Sequence, residues 1–72
     1  MSKNDTITVR INGEERSAPK GATISDMLTA FGINPIRVAV EHNREIVPRS
    51  TYPEVAVEDG DAFEIVHFVG GG

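Results

Sequence analysis

Fifteen residues of this chain are valine or isoleucine, and only one, Leu28, is leucine. Branching at Cβ stiffens χ1, which disfavours a helix and suits the pleated surface of a strand. The chain is thereby constrained toward sheet, with room for a short helix. Its 72 residues make one domain. A domain of this size buries only about 60% of the surface of its unfolded chain, which leaves no volume for a cleft between lobes. An apolar share of 39% still supports a packed core.

Alternation locates the strands. Ile7, Val9 and Ile11 point one way and Thr6, Thr8 and Arg10 the other, the pattern of a half-buried strand. Asn12-Gly13 follows, then a polar run over 14–18. Asn-Gly between two such runs predicts a hairpin, because both residues tolerate the positive φ of a type I′ turn. Pro19-Lys20-Gly21 ends it.

A helix is expected next. Thr23 suits the N-cap, and Asp26 stands three residues on, in capping-box position. Ile24, Met27, Leu28 and Phe31 recur at helical spacing and form one apolar face. Gly32 suits the left-handed position after the last turn, and Pro35 blocks continuation. At two to three turns, the helix depends on packing.

Val38 and Val40 alternate with Arg37, Ala39 and Glu41 in a third strand. Asn43-Arg44 reads as a turn and 45–47 as a short fourth strand. Pro48 lacks an N–H, so that strand is an edge or stops there. Residues 49–59 read as irregular, with one helical turn near 51–54. Asp59-Gly60-Asp61 is a tight turn, and 63–68 form the last strand. Hairpin, helix, strands and final strand predict an α+β domain, a mixed sheet of four to five strands with one main helix packed on one face. This is the layout of the β-grasp, or ubiquitin-like, fold. The domain is expected to span 1–69, followed by a flexible tail over 70–72.

Composition excludes several chemistries. The absence of cysteine removes disulfides, thiolate metal sites and a cysteine nucleophile. A net charge of −4 argues against nucleic-acid binding. No apolar run is long enough for a membrane span, and a cytoplasmic protein is expected. His42 and His67 lack ligand-spaced companions and read as structural or surface residues. Glu58-Asp59-Gly60-Asp61 lacks the alternating ligands of a calcium loop and reads as a turn. Ser17, Ser25 and Ser50 have no context of an activated nucleophile. Nothing here supports an autonomous enzyme. Residues 51–72 hold five acids and no base, which makes either a solvated edge or a surface that steers a basic partner.

The C-terminal stretch is distinctive. Gly70, Gly71 and Gly72 have no side chain to pack and span about 10 Å beyond Val69 when extended. They are either a frayed end or a thin stalk that presents a carboxylate and passes a narrow channel. With Phe63 and Ile65 facing the core, Val66 and Phe68 fall on the opposite face beside Glu64. They are either covered by loops or form a docking patch next to the stalk.

Taken together, the chain resembles the sulfur carrier proteins of thiamin (thiazole) biosynthesis. The resemblance rests on the Asn12-Gly13 hairpin, the helix over 23–31 and Val38-Ala39-Val40-Glu41. It continues through Glu45-Ile46-Val47-Pro48-Arg49, Glu58-Asp59-Gly60-Asp61 and the ending Ile65-Val66-His67-Phe68-Val69-Gly70-Gly71-Gly72. One departure is Arg44, where the family more often has glycine; it bears on the turn geometry alone.

The resemblance implies that an E1-like adenylyltransferase, using ATP and magnesium, activates the Gly72 carboxylate. Sulfur from a persulfide donor then makes a thiocarboxylate for thiazole synthase. The chain itself would bind no cofactor and act as a co-substrate rather than an enzyme. Gly72 would be the reacting residue and Gly70 and Gly71 its stalk. Val66, Phe68 and Val69 would dock partners, with Val47 and Pro48 as further docking residues. The alternatives are the small subunit of molybdopterin synthase, another ubiquitin-like carrier, or an interaction module with an inert tail.

Overall fold

Asn12 and Gly13 take φ of 51° and 86°, so both centres of the first turn are left-handed, as a type I′ hairpin requires. The turn joins β1 (Thr6–Ile11) to β2 (Glu14–Pro19) in an antiparallel register that sets Ile11 opposite Glu14 and Ile7 opposite Ala18. The computed structural model describes residues 5–68 of the chain. Val9, Ile11 and Ala18 are buried, with Ile7 packed beside them. The remaining residues of β2 are exposed and three are charged, which discourages pairing at this open edge.

The helix α1 (Ile24–Ala30) is tied at both ends. Thr23 Oγ1 accepts from the Asp26 amide at 3.1 Å, and the Thr23 amide donates to Asp26 Oδ2 at 3.1 Å, closing the capping box. At the other end Gly32, at φ 75°, donates to the Thr29 carbonyl and Ile33 to the Leu28 carbonyl, a Schellman arrangement. Ile24, Met27 and Leu28 are fully buried against the sheet, and each stabilises the pair of layers by about 2 kcal/mol. Phe31 is half-buried, with the Arg16 guanidinium of β2 4.6 Å from its ring centre.

After a 3-10 turn at Pro35–Arg37 come β3 (Val38–His42), β4 (Glu45–Val47) and, later, β5 (Ala62–His67). The sheet order is β2-β1-β5-β3-β4, so the last strand is the central one. It runs parallel to β1 and antiparallel to β3. The five strands and one packed helix form the expected β-grasp. As Pro48 suggested, β4 is both an edge and short.

The segment between β4 and β5 is irregular in dihedrals but not in bonding. A 3-10 turn lies at Arg49–Thr51, and the Thr51 carbonyl then accepts from the Glu54 and Val55 amides, the helical turn expected near 51–54. The Ile24 amide donates to the Val55 carbonyl and the Ser25 amide to the Tyr52 carbonyl, so this strap satisfies orphan donors of the first helical turn. Tyr52 and Val57 enter the core, and the Tyr52 hydroxyl donates to the Val38 carbonyl at 3.4 Å. The acidic turn is also bound down. Gly60 (φ 89°) donates to the Thr8 carbonyl at 2.8 Å, and Asp59 Oδ1 accepts from the Thr8 amide at 2.9 Å. No helix among the described residues is long and apolar enough to cross a membrane.

Candidate functional site

Alternation along β5 sends Phe63 and Ile65 into the core and leaves Glu64 and Val66 on the outer face. Val66 stands opposite Ala39 of β3. Beyond the strand, the Phe68 amide still donates to the carbonyl of Arg37, the residue before β3, at 2.9 Å, so the chain stays bonded on that side as far as Phe68. No loop among the described residues covers the two apolar side chains: Val66 is 60% exposed and Phe68 56%. The Arg49 guanidinium lies 5.7 Å from the Phe68 ring centre, within cation–π range.

On β4 the register separates the two docking candidates from their neighbour. Val47 pairs with the buried Val40, is half-buried and packs against the core. Pro48 is exposed just past the strand. The outward residue of β4 is Ile46, 78% exposed and opposite Glu41. Ile46 and Arg49 are surface residues that the reading of the sequence missed. Ile46 follows from the register, because a strand that pairs Val47 with an inward Val40 must turn Ile46 outward. Arg49 carried no signal of its own.

The face is held from behind by groups distant in sequence. The Asn12 side chain straddles Ile65, donating from Nδ2 to its carbonyl at 3.1 Å and accepting its amide on Oδ1 at 2.8 Å. At the start of β5, Asn43 Oδ1 accepts from the Ala62 amide at 3.0 Å. His42 stacks on Phe63 at 4.7 Å and meets Asp61 Oδ2 at 2.8 Å through Nε2. Burial opposes the ionised form of Asp61. The Glu58 amide and the contacts from His42 and Asn43 outweigh it and hold the carboxyl below its ordinary value. His42 thus has the structural place expected of it. The exposed His67 stands opposite Val38.

Val69, Gly70, Gly71 and Gly72 lie outside the described residues, as does the expectation of a flexible tail. What the described part offers is a small apolar face at the root of those four residues, on the central strand, which is paired on both sides. Two aromatic or branched side chains on a rigid strand suit docking, since such anchors lose little entropy on binding.

Comparison with known proteins agrees with this geometry. Residues 9–72 match the model of the ThiS family. The sulfur carrier protein ThiS of Bacillus subtilis is 42% identical over 65 residues, which cover 89% of this chain and 98% of that protein. A thiazole synthase of Paramagnetospirillum magneticum is 53% identical over 62 residues, covering 86% of this chain but 19% of that protein. The chain therefore spans about a fifth of the length of the thiazole synthases it matches. The crystal structure of the thiamine biosynthesis protein ThiS from Geobacter metallireducens superposes with a TM-score of 0.78 at 29% identity, over 92% of this chain and all of that one. The family match runs through both the outer face and the glycines that follow it, and the chain belongs to the ThiS family.

Proposed function

We propose that this chain is a sulfur carrier for thiazole formation in thiamin biosynthesis, and that its reacting group is the carboxyl of Gly72. The observation that carries this reading is the family match over residues 9–72, which takes in the exposed Val66 and Phe68 and the three glycines.

The chemistry explains the design. A carboxylate repels nucleophiles and must first be activated. An E1-like adenylyltransferase, with ATP and magnesium, lets a Gly72 oxygen attack the α-phosphorus and expel pyrophosphate. The terminal sulfur of a persulfide on a donor protein then attacks the carbonyl carbon, and AMP leaves. A thiol cleaves the resulting acyl disulfide, leaving a thiocarboxylate on Gly72 and a disulfide on the donor side. The thiocarboxylate passes its sulfur to thiazole synthase. The carrier contributes no catalytic group and binds no cofactor. Gly70 and Gly71, lacking Cβ, let the chain pass a narrow channel. Val66, Phe68 and Val69 form the docking patch, and Pro48 and Val47 support its edge.

The test is the intact mass after incubation with ATP, the adenylyltransferase and a persulfide source. Exchange of one oxygen for sulfur, located by fragmentation at Gly72, is expected. Deleting Gly71 and Gly72 is expected to abolish it while leaving the fold unchanged by amide spectra. An unaltered mass, with the enzyme shown active on another carrier, would sink the reading.

A further inference from the structure

The geometry points to a cationic collar, Arg49 with Arg37, that docks against carboxylates on the rim of the adenylyltransferase channel receiving the glycines. This rests on the function proposed above and names the chemistry of the partner's surface. The chain as a whole carries −4, yet its charge is not spread evenly around the outer face. Three segments surround the root of the glycines: residues 35–40, 46–53 and 65–68. They contain Arg37 and Arg49; glutamates stand just beyond their ends, at 41, 45, 54 and 64, with Glu41 and Glu64 paired across β3 and β5, so the two arginines are the charged residues that pairing and stacking bring to Phe68.

Both arginines are exposed, and they flank Phe68 by different means. The Arg37 carbonyl holds the Phe68 amide, and the Arg49 guanidinium lies over the Phe68 ring. The ion pairs among the described residues are Arg10–Glu15 and His42–Asp61, so neither collar arginine is neutralised by a described carboxylate. Asp59 and Asp61, from the acidic end of the sequence, are instead hydrogen-bonded to backbone amides in their own turn and on β1.

An apolar patch of two side chains is too small to fix how a partner is rotated upon it. A fixed cation at one side of the patch supplies that information, because wrong orientations then place like charges or apolar groups against it. The planar guanidinium on an aromatic ring is preorganised for a carboxylate fork. Gly72 lies four residues past Phe68, about 13 Å in extended chain, so the collar acts at the channel rim and not on the reacting carboxyl.

The experiment measures thiocarboxylate formation by mass for the native chain, Arg49→Glu, Arg37→Glu and Arg49→Lys, at several salt concentrations. For Arg49→Glu we expect KM for the carrier to rise about tenfold with kcat within about twofold, because rim charges act on encounter more than on chemistry. Arg37→Glu is expected to act in the same direction and Arg49→Lys to stay within about threefold of native, with a shallower salt dependence in both Glu variants. Unchanged KM in both Glu variants overturns the collar. So does normal thiocarboxylate formation with a defect only in sulfur transfer to thiazole synthase, which would assign the collar to a different partner. A native chain that is never converted overturns the parent reading itself, a result distinct from either.

Discussion

The two hairpin turns use the same residue for the same purpose and differ in the next one. Asn12 and Asn43 both adopt left-handed backbone, at φ 51° and 50°, and both turn their side-chain amides onto β5. Asn12 grips Ile65 from the β1 side, and Asn43 grips Ala62 from the β3 side. The second turn residue is Gly13 in one case and Arg44 in the other, at φ 86° and 74°. Glycine adopts that conformation freely, whereas an L side chain there costs about 1 kcal/mol or more. A turn can thus be specified by its first residue alone when that residue is also bonded to the sheet, and the second position becomes free to carry strain.

The largest effects should come from the asparagines. Asn12→Ala removes two hydrogen bonds to a half-buried strand and leaves alanine in a left-handed position, and is expected to cost about 3 kcal/mol in denaturant unfolding. Asn43→Ala, whose contacts are exposed, is expected to cost about 2 kcal/mol. Equal losses would mean that burial of the bonded partner does not distinguish the two turns.

The next test exchanges the second residues. Arg44→Gly should stabilise by about 1 kcal/mol, and Gly13→Arg should destabilise by a similar amount. A Cβ at Gly13 would meet no atom within 4 Å, so that loss would be conformational and not steric. A neutral Arg44→Gly would show that the Arg44 side chain makes a compensating contact.

The smallest effect is that of Asp61, and its signature is the acid limb of the stability profile. The folded-state pKa of Asp61 lies below its ordinary 3.8. Its contribution to stability is therefore complete above that value and is lost as pH falls through the folded-state pKa. Asp61→Asn should lower stability near neutrality and flatten its decline below about pH 4, leaving the Asn12 turn unaffected. An unchanged acid profile would remove Asp61 from the account of how the Asn43 turn is held.

Much of this was written locally in the chain. The Asn12-Gly13 hairpin, the Thr23–Asp26 capping box, the Gly32 stop and the alternation of β5 depend on residues a few positions apart, so reading them required no knowledge of the fold. The outward face of Val66 and Phe68 followed from that alternation, whereas their exposure there, against cover by a loop, was settled by the fold. What escaped the sequence depended on distance or on register. The Asn12 side chain meets a strand 53 residues away, a contact that no local pattern encodes. Tyr52 sits among polar and proline residues with no periodicity, and its burial comes from the strap closing over the helix. Ile46 and Val47 belong to a three-residue strand, in which a shift of one position exchanges the faces of both.

The central position of β5 has a mechanical consequence. A pull applied at its C-terminal end runs along the strand, with β1 parallel on one side and β3 antiparallel on the other. Such a load strains both ladders in shear, many bonds at once, and does not peel an edge bond by bond. A load on the residues that follow β5 is therefore shared by both ladders and does not unravel the strand from one edge.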